Sequence, residues 1–126
     1  MQQSILTCSP ETRVYQAASK MRERNVSSII IVENNKAIGI WTEADCRSIN
    51  FSEQQHSTMP IRELMSAPIF TVKYSLFIRE LAIKFRQLAI RHFIVVDNAN
   101  VPIGIISQSD VIKNQGIEHY LQAKLV

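Results

Sequence analysis

GIWTEAD at 39–45 and GIISQSD at 104–110 each run glycine, two apolar residues, a hydroxyl residue, two more residues and an aspartate. They stand 65 positions apart. A local reading takes both as helix starts. The hydroxyl of Thr42 or Ser107 accepts from orphan backbone N–H groups, and Asp45 or Asp110 three residues on completes a capping box. A second reading takes them as two equivalent ligand sites. A helix N-terminus after a strand attracts phosphate, and a carboxylate there accepts ribose hydroxyls. Aspartate is shorter than the Glu or Gln that the box prefers, which favours the second reading.

Outward from these phrases the whole chain repeats. With an offset of 64, ILTCSPETRVYQAASKMRERNVSSIIIVE (5–33) lies over IFTVKYSLFIRELAIKFRQLAIRHFIVVD (69–97). Ile5, Thr7, Ala18, Lys20, Arg22, Ile30 and Val32 recur as Ile69, Thr71, Ala82, Lys84, Arg86, Ile94 and Val96, and self-similarity at a fixed period marks a repeat. Val14, Ala17, Ala18 and Met21 fall over Ile78, Leu81, Ala82 and Phe85, the i, i+3, i+4, i+7 stripe of an amphipathic helix. One residue is then inserted in the second copy within DNANV, and the offset becomes 65. Insertions belong in exposed turns, so the break marks a turn.

The pattern predicts short strands at Ile5–Cys8 and Ile69–Val72 and helices over 12–24 and 76–88. The runs Ile29–Val32 and Phe93–Val96 are too short for helices and rich in β-branched residues, so they read as buried strands. Turns follow at Asn34-Asn35 and Asn98-Ala99-Asn100, where asparagine accepts positive φ. A third strand (Ala37–Trp41, Pro102–Ile106) and a helix after Thr42 or Ser107 complete each copy as β-α-β-β-α. NFSEQQHSTMP (50–60) reads as a polar connection and IRELM (61–65) as a short helix entering copy two. The expected fold is α/β (α+β), two such repeats packed with pseudo-twofold symmetry, because a repeat of this size buries too little apolar surface alone. The domains are repeat one at 1–55, linker and entry helix at 56–65, repeat two at 66–115, and a C-terminal helix or linker at 116–126.

Composition narrows the function classes. Hydrophobic residues make up 46% of the 126 and charged residues 20%, as in ordinary globular proteins. No apolar run approaches the ~20 residues that span a bilayer, and MQQSILTCSPE carries no signal-peptide pattern. Cys8 and Cys46 are the only cysteines, so neither a disulfide framework nor a zinc site is expected, and the default location is cytoplasmic. The net charge of +3 leans towards anionic partners, but the basic residues form no stripe of the kind that binds nucleic acid. No nucleophile–base pair, HExxH, Gly-rich phosphate loop or Cys/His cluster is present. The chain is not expected to be an enzyme or to need an obligatory cofactor.

The ordered set of SSIIIVE and RHFIVVD strands, GIWTEAD and GIISQSD phrases and the entry IRELMSAPIFTV resembles the tandem cystathionine-β-synthase (CBS) domain pair, or Bateman module, over nearly the whole chain. The resemblance implies a regulatory module. Such a pair binds an adenosine derivative (AMP, ADP, ATP or S-adenosylmethionine) or a cyclic dinucleotide in clefts between the copies. It dimerises through its helices and reports ligand state to an attached domain. Copy one departs from the pattern in lacking an entry helix.

The resemblance gives Thr42, Asp45, Ser107 and Asp110 the phosphate and ribose roles. It places Arg91 and His92, before the second buried strand, on ligand phosphates, which arginine holds as a bidentate fork. Their plain alternative is a solvated strand edge. Copy one has Ser27 and Ser28 there, hydroxyls without charge, so the second site suits an anion better. Thr7 and Thr71 end the first strands at the adenine edge, or bond backbone. Ile94, with Ile29, Ile40 and Ile105, reads as core that borders the base. Trp41 reads as filler between the copies or a stacking surface, and Cys8 and Cys46 as buried core.

The tail carries Ile117, Leu121 and Leu125 at helical spacing. It packs back on the module or leads to a C-terminal output domain, and IEHYLQAKLV is similar to linkers before diguanylate cyclase or phosphodiesterase domains of bacterial signalling proteins. The expected function is an adenine-nucleotide sensor acting as a homodimer. The competing class is a dimerisation or interaction module with empty or degenerate sites.

Overall fold

Thr7–Cys8 (β1) lies parallel to Ser28–Glu33 (β2), and β2 turns back into Lys36–Thr42 (β3) as an antiparallel hairpin. The same order recurs with Thr71–Lys73 (β4), His92–Val96 (β5) and Pro102–Ser107 (β6). The structure, a computed structural model, describes residues 5–67, 69–73, 83–84, 86–87 and 92–107. Two mixed three-stranded sheets, β1-β2-β3 and β4-β5-β6, make the fold α+β. Contacts divide the chain into two units, Leu6–Ile69 and Met1–Ile5 with Phe70–Val126.

The repeat is visible in the strand register. Thr7 pairs with Ile30 and Thr71 with Ile94, while Ser28 faces Thr42 and His92 faces Ser107. Both hairpins carry a register shift at the same place, Ile31/Val32 and Val95/Val96. The inserted residue changes only the turn. Asn34 and Asn35 both take positive φ, 54° and 64°, as a two-residue type I′ hairpin requires. In the second copy the loop is one residue longer and only Asn100, at φ 65°, is left-handed among its described residues, the pattern of a type I turn followed by an αL residue. Asp97 Oδ1 accepts from Ala99 N–H and Val101 N–H at 2.8 and 3.0 Å, and Lys73 Nζ donates to Asn100 Oδ1 at 2.8 Å.

Between β1 and β2 runs Val14–Arg24 (α1). Its Val14, Ala17, Ala18 and Met21 are the buried positions, the stripe that the sequence predicts. It ends at Asn25, φ 53°, where Val26 N–H reaches Met21 O and Asn25 N–H reaches Arg22 O, the Schellman pattern. The helix starts two residues later than the expected 12 because residues 12 and 13 are drawn into pairing with the linker. Arg13 bridges Pro60, Val14 N–H donates to Met59 O at 2.9 Å, and Ile61 N–H donates to Thr12 O at 2.7 Å. The counterpart helix expected over 76–88 lies mostly outside the described residues; 83–84 and 86–87 are helical.

After β3 come Glu43–Arg47 (α2) and, in the stretch expected to be a plain connection, the single turn Gln54–Ser57 (α3). Ile61–Glu63 is a 3₁₀ turn. Ile61 is fully buried and belongs to the core that α1, Cys8, Ile29, Ile31 and Trp41 form, so the linker packs on the first unit. Ser66 then bridges Ile40 on the outer edge of β3. Among the described residues no helix is long and apolar enough to cross a membrane.

Candidate functional site

Strand alternation divides each sheet into two faces. In the first unit Ile29, Ile31 and Trp41 join the α1 core. Thr7, Ile30, Ile40, Ser28 and Thr42, linked by register, share the other face. Trp41, 1% exposed, is therefore core of its own unit, because β3 alternation turns it towards α1 and away from the candidate face. The same register puts Thr71, Ile94, Ile105, His92 and Ser107 on one face of the second sheet. Arg91 and Asp110 lie outside the described residues, as does the tail from 108 onward.

In the first unit Thr7 and Ser27 are exposed, Ser28 is buried, and Thr42 and Asp45 are half-buried. Thr42 is the N-cap of α2. Its N–H and hydroxyl both donate to Asp45 Oδ2, at 2.9 and 3.1 Å, and its Oγ1 accepts from Asp45 N–H at 3.4 Å. The capping box is thus complete, as the local reading of the phrase requires. It occupies one carboxylate oxygen only. Among the described residues Asp45 Oδ1 takes no hydrogen bond, which leaves an acceptor open to a second partner. Glu43 N–H donates to Ser27 O at 2.9 Å, so α2 is tied to the chain entering β2.

In the second unit Thr71 is exposed, His92 and Ser107 are half-buried and Ile94 is 2% exposed. Ile94 N–H donates to Phe70 O at 3.0 Å, as Ile30 N–H does to Leu6 O at 2.9 Å. Ile30 is the register equivalent of Ile94 and the residue that sequence reading passed over in favour of Ile29. The offset of 64 already lays Ile30 over Ile94, and alternation from Ser28 along β2 gives the same residue.

The cysteines divide. Cys8 is 7% exposed in the core, and burial pushes its thiol up from the ordinary value, partly offset by a Thr12 hydrogen bond and the Lys20 charge. Cys46 is half-buried and packs against that core; partial burial raises its thiol too, with Arg22 the largest opposing effect. Among the described residues no cluster of His, Cys, Asp or Glu could hold a metal. The first unit also has an open concavity of about 420 Å³ between α1 and α2, bordered by Tyr15, Met21, Arg22, Glu43, Cys46 and Phe51. It includes none of the candidate site residues.

The CBS domain family model matches residues 1–50 and 61–116. The chain is 32% identical over 123 residues to the uncharacterized protein MK0525 of Methanopyrus kandleri, covering 96% of this chain and 61% of that relative. A protein with CBS domains from Burkholderia ambifaria superposes with a TM-score of 0.72 at 27% identity, covering 90% of this chain and 83% of the other. The CBS domain pair of protein MJ0100, solved in complex with methylthioadenosine and S-adenosyl-L-methionine, does so with 0.72 at 23% identity, covering 90% and 89%. With its two registers, two hairpins and two phrases matched in order, the chain belongs to the CBS domain family and carries a pair of these domains.

Proposed function

We propose that the chain is a regulatory module that senses an adenosine derivative, AMP, ADP, ATP or S-adenosylmethionine, and does not itself catalyse a reaction. The observation that carries this reading is the divided carboxylate of Asp45: Oδ2 holds the cap, and Oδ1 takes no hydrogen bond among the described residues. The complex formed by the CBS pair of MJ0100 supports the ligand class. Site residues are Thr7, Ser27, Ser28, Thr42 and Asp45 in repeat one (1–55), and Thr71, Arg91, His92, Ile94, Ser107 and Asp110 in repeat two (66–115). Residues 56–65 link the repeats, and 116–126 read in the sequence as a C-terminal helix or a linker to an output domain of diguanylate cyclase or phosphodiesterase type. The protein is a homodimer. Supporting this, Tyr15 and Phe51, 47% and 40% exposed, border the α1–α2 concavity and offer apolar surface to a partner.

Denaturing the purified protein and identifying released nucleotide by absorbance and mass spectrometry tests the reading, together with a thermal-shift panel of the four compounds. A ligand that binds only the native state raises the melting point. No released nucleotide and no shift with any compound would leave the second reading, a dimerisation module with vacant sites, which the exposed Tyr15 and Phe51 favour.

A further inference from the structure

Each contact unit holds more than its own repeat. The first, Leu6–Ile69, takes in the linker, and the second joins Met1–Ile5 to Phe70–Val126. The changeovers, Ile5/Leu6 and Ile69/Phe70, stand 64 residues apart, which is the offset of the repeat. The segment that precedes each repeat therefore groups with the other repeat.

In the first unit the contact that does this is visible. β3 is the outer strand of its sheet, and an outer strand turns a row of backbone donors and acceptors away from its neighbour. Ile40 spends both of its own on Ser66: its N–H donates to Ser66 O at 3.1 Å, and Ser66 N–H donates to Ile40 O at 2.8 Å. Met65 lies over Gly39 beside this bridge.

The second unit has the same edge. β6 is the outer strand of its sheet. Gly104 pairs with Val95 and Ile105 with Ile94, as Gly39 pairs with Ile31 and Ile40 with Ile30. Gly104 is buried, like Gly39. A glycine has only backbone to expose, so its burial on an outer strand calls for a segment lying across it. By the offset of 64, the residues in the places of Met65 and Ser66 are Met1 and Gln2.

We infer that the outer edge of β6 at Gly104–Ile105 is a docking surface for this chain's own first residues, 1–3, with Gln2 bridging Ile105 as Ser66 bridges Ile40. Residues 1–4 lie outside the described residues; the pairing is carried by the repeat, by the burial of Gly104 and by the grouping of Met1–Ile5 with this unit. It needs no ligand. Its consequence is that strain applied at the N-terminus is felt by the second repeat, although the first follows it in sequence.

The test is nuclear magnetic resonance of the full chain. A nuclear Overhauser contact between the backbone protons of Gln2 and Ile105 is expected in the unaltered protein, at the same strength on dilution. Gln2→Pro removes one of the two donors and should speed exchange of the Ile105 amide about tenfold, the scale of one lost hydrogen bond, while Ile40 exchange stays as it was. If the Val95 amide is freed as well, the variant has opened the second unit and the Overhauser contact in the unaltered chain decides alone. Absence of that contact overturns the inference. So does a contact that fades on dilution, which would seat a second copy on this edge, and so does Ile105 exchange that Gln2→Pro leaves unchanged.

Discussion

Gly39 and Met65 approach so closely that a Cβ at position 39 would stand 2.7 Å from Met65 Cγ. The approach follows from the edge pairing next to it. Ser66 N–H donates to Ile40 O at 2.8 Å and Ile40 N–H donates to Ser66 O at 3.1 Å, which lays Met65 over the strand. The glycine that opens GIWTEAD is a steric requirement of the linker crossing β3.

Gly39→Ala should therefore destabilise the protein by ~1–3 kcal/mol, the usual cost of overpacking. Met65 is flexible, so Met65→Ala introduced together with Gly39→Ala should cost less than the two changes summed. Urea unfolding of the four proteins gives the coupling. Strict additivity would mean that Met65 does not constrain position 39.

The linker's hold on the first unit has an apolar part and a charged part. Ile61 is fully buried, and Ile61→Ala should cost ~2–5 kcal/mol. Arg62 Nη2 meets Glu11 Oε1 at 2.9 Å and Glu33 Oε2 at 3.0 Å on the surface, where ion pairs are screened. Arg62→Ala should lower the melting point far less, and the difference from wild type should shrink in high salt. Equal losses from the two substitutions would put the charged pairs on a par with the core.

Much of this arrangement can be read from the residues, for a physical reason. Period and offset are local signals, and they predict the α1 stripe of Val14, Ala17, Ala18 and Met21, the strands, and the turn that absorbs the inserted residue. The Thr42–Asp45 capping box follows from three residues of spacing. Contacts between distant segments leave no such trace. The Arg13–Pro60 bridge that delays α1 and the burial of Ile61 against it both join segments about 47 residues apart in sequence, and no periodicity encodes that. The place of Trp41 before Thr42 suggests a filler between the copies, whereas alternation along β3 turns it into the α1 core.

Cys8 gives a pH prediction. Burial raises its thiol above the ordinary 9.0, so the folded state keeps the proton that the unfolded state gives up. The stability linked to that proton is complete below about pH 9 and is lost as pH rises through the folded value. Cys8→Val, which copies Val72 from the second repeat, should flatten the alkaline loss of stability relative to wild type. Denaturant midpoints at pH 8 and pH 10 check this; parallel losses in both proteins would assign the effect to other groups. In native protein a thiol reagent should modify half-buried Cys46 first and Cys8 only on unfolding.

The second repeat should be where phosphate is recognised. His92 stands opposite Ser107, where the first repeat has buried Ser28 opposite Thr42, and Arg91 precedes it in sequence. An arginine fork and an imidazole can both donate to phosphate oxygens, whereas the two serines add no charge. A double Arg91→Ala, His92→Ala variant should lose most of its preference for AMP and ATP over adenosine, and Ser27→Ala with Ser28→Ala should change that preference little. Asp110→Ala should weaken alike all adenosine compounds that bind the second repeat, because a ribose contact is shared by all of them. Calorimetry on the three variants separates the roles. An unchanged phosphate preference in the Arg91, His92 double variant would move phosphate recognition away from this strand edge.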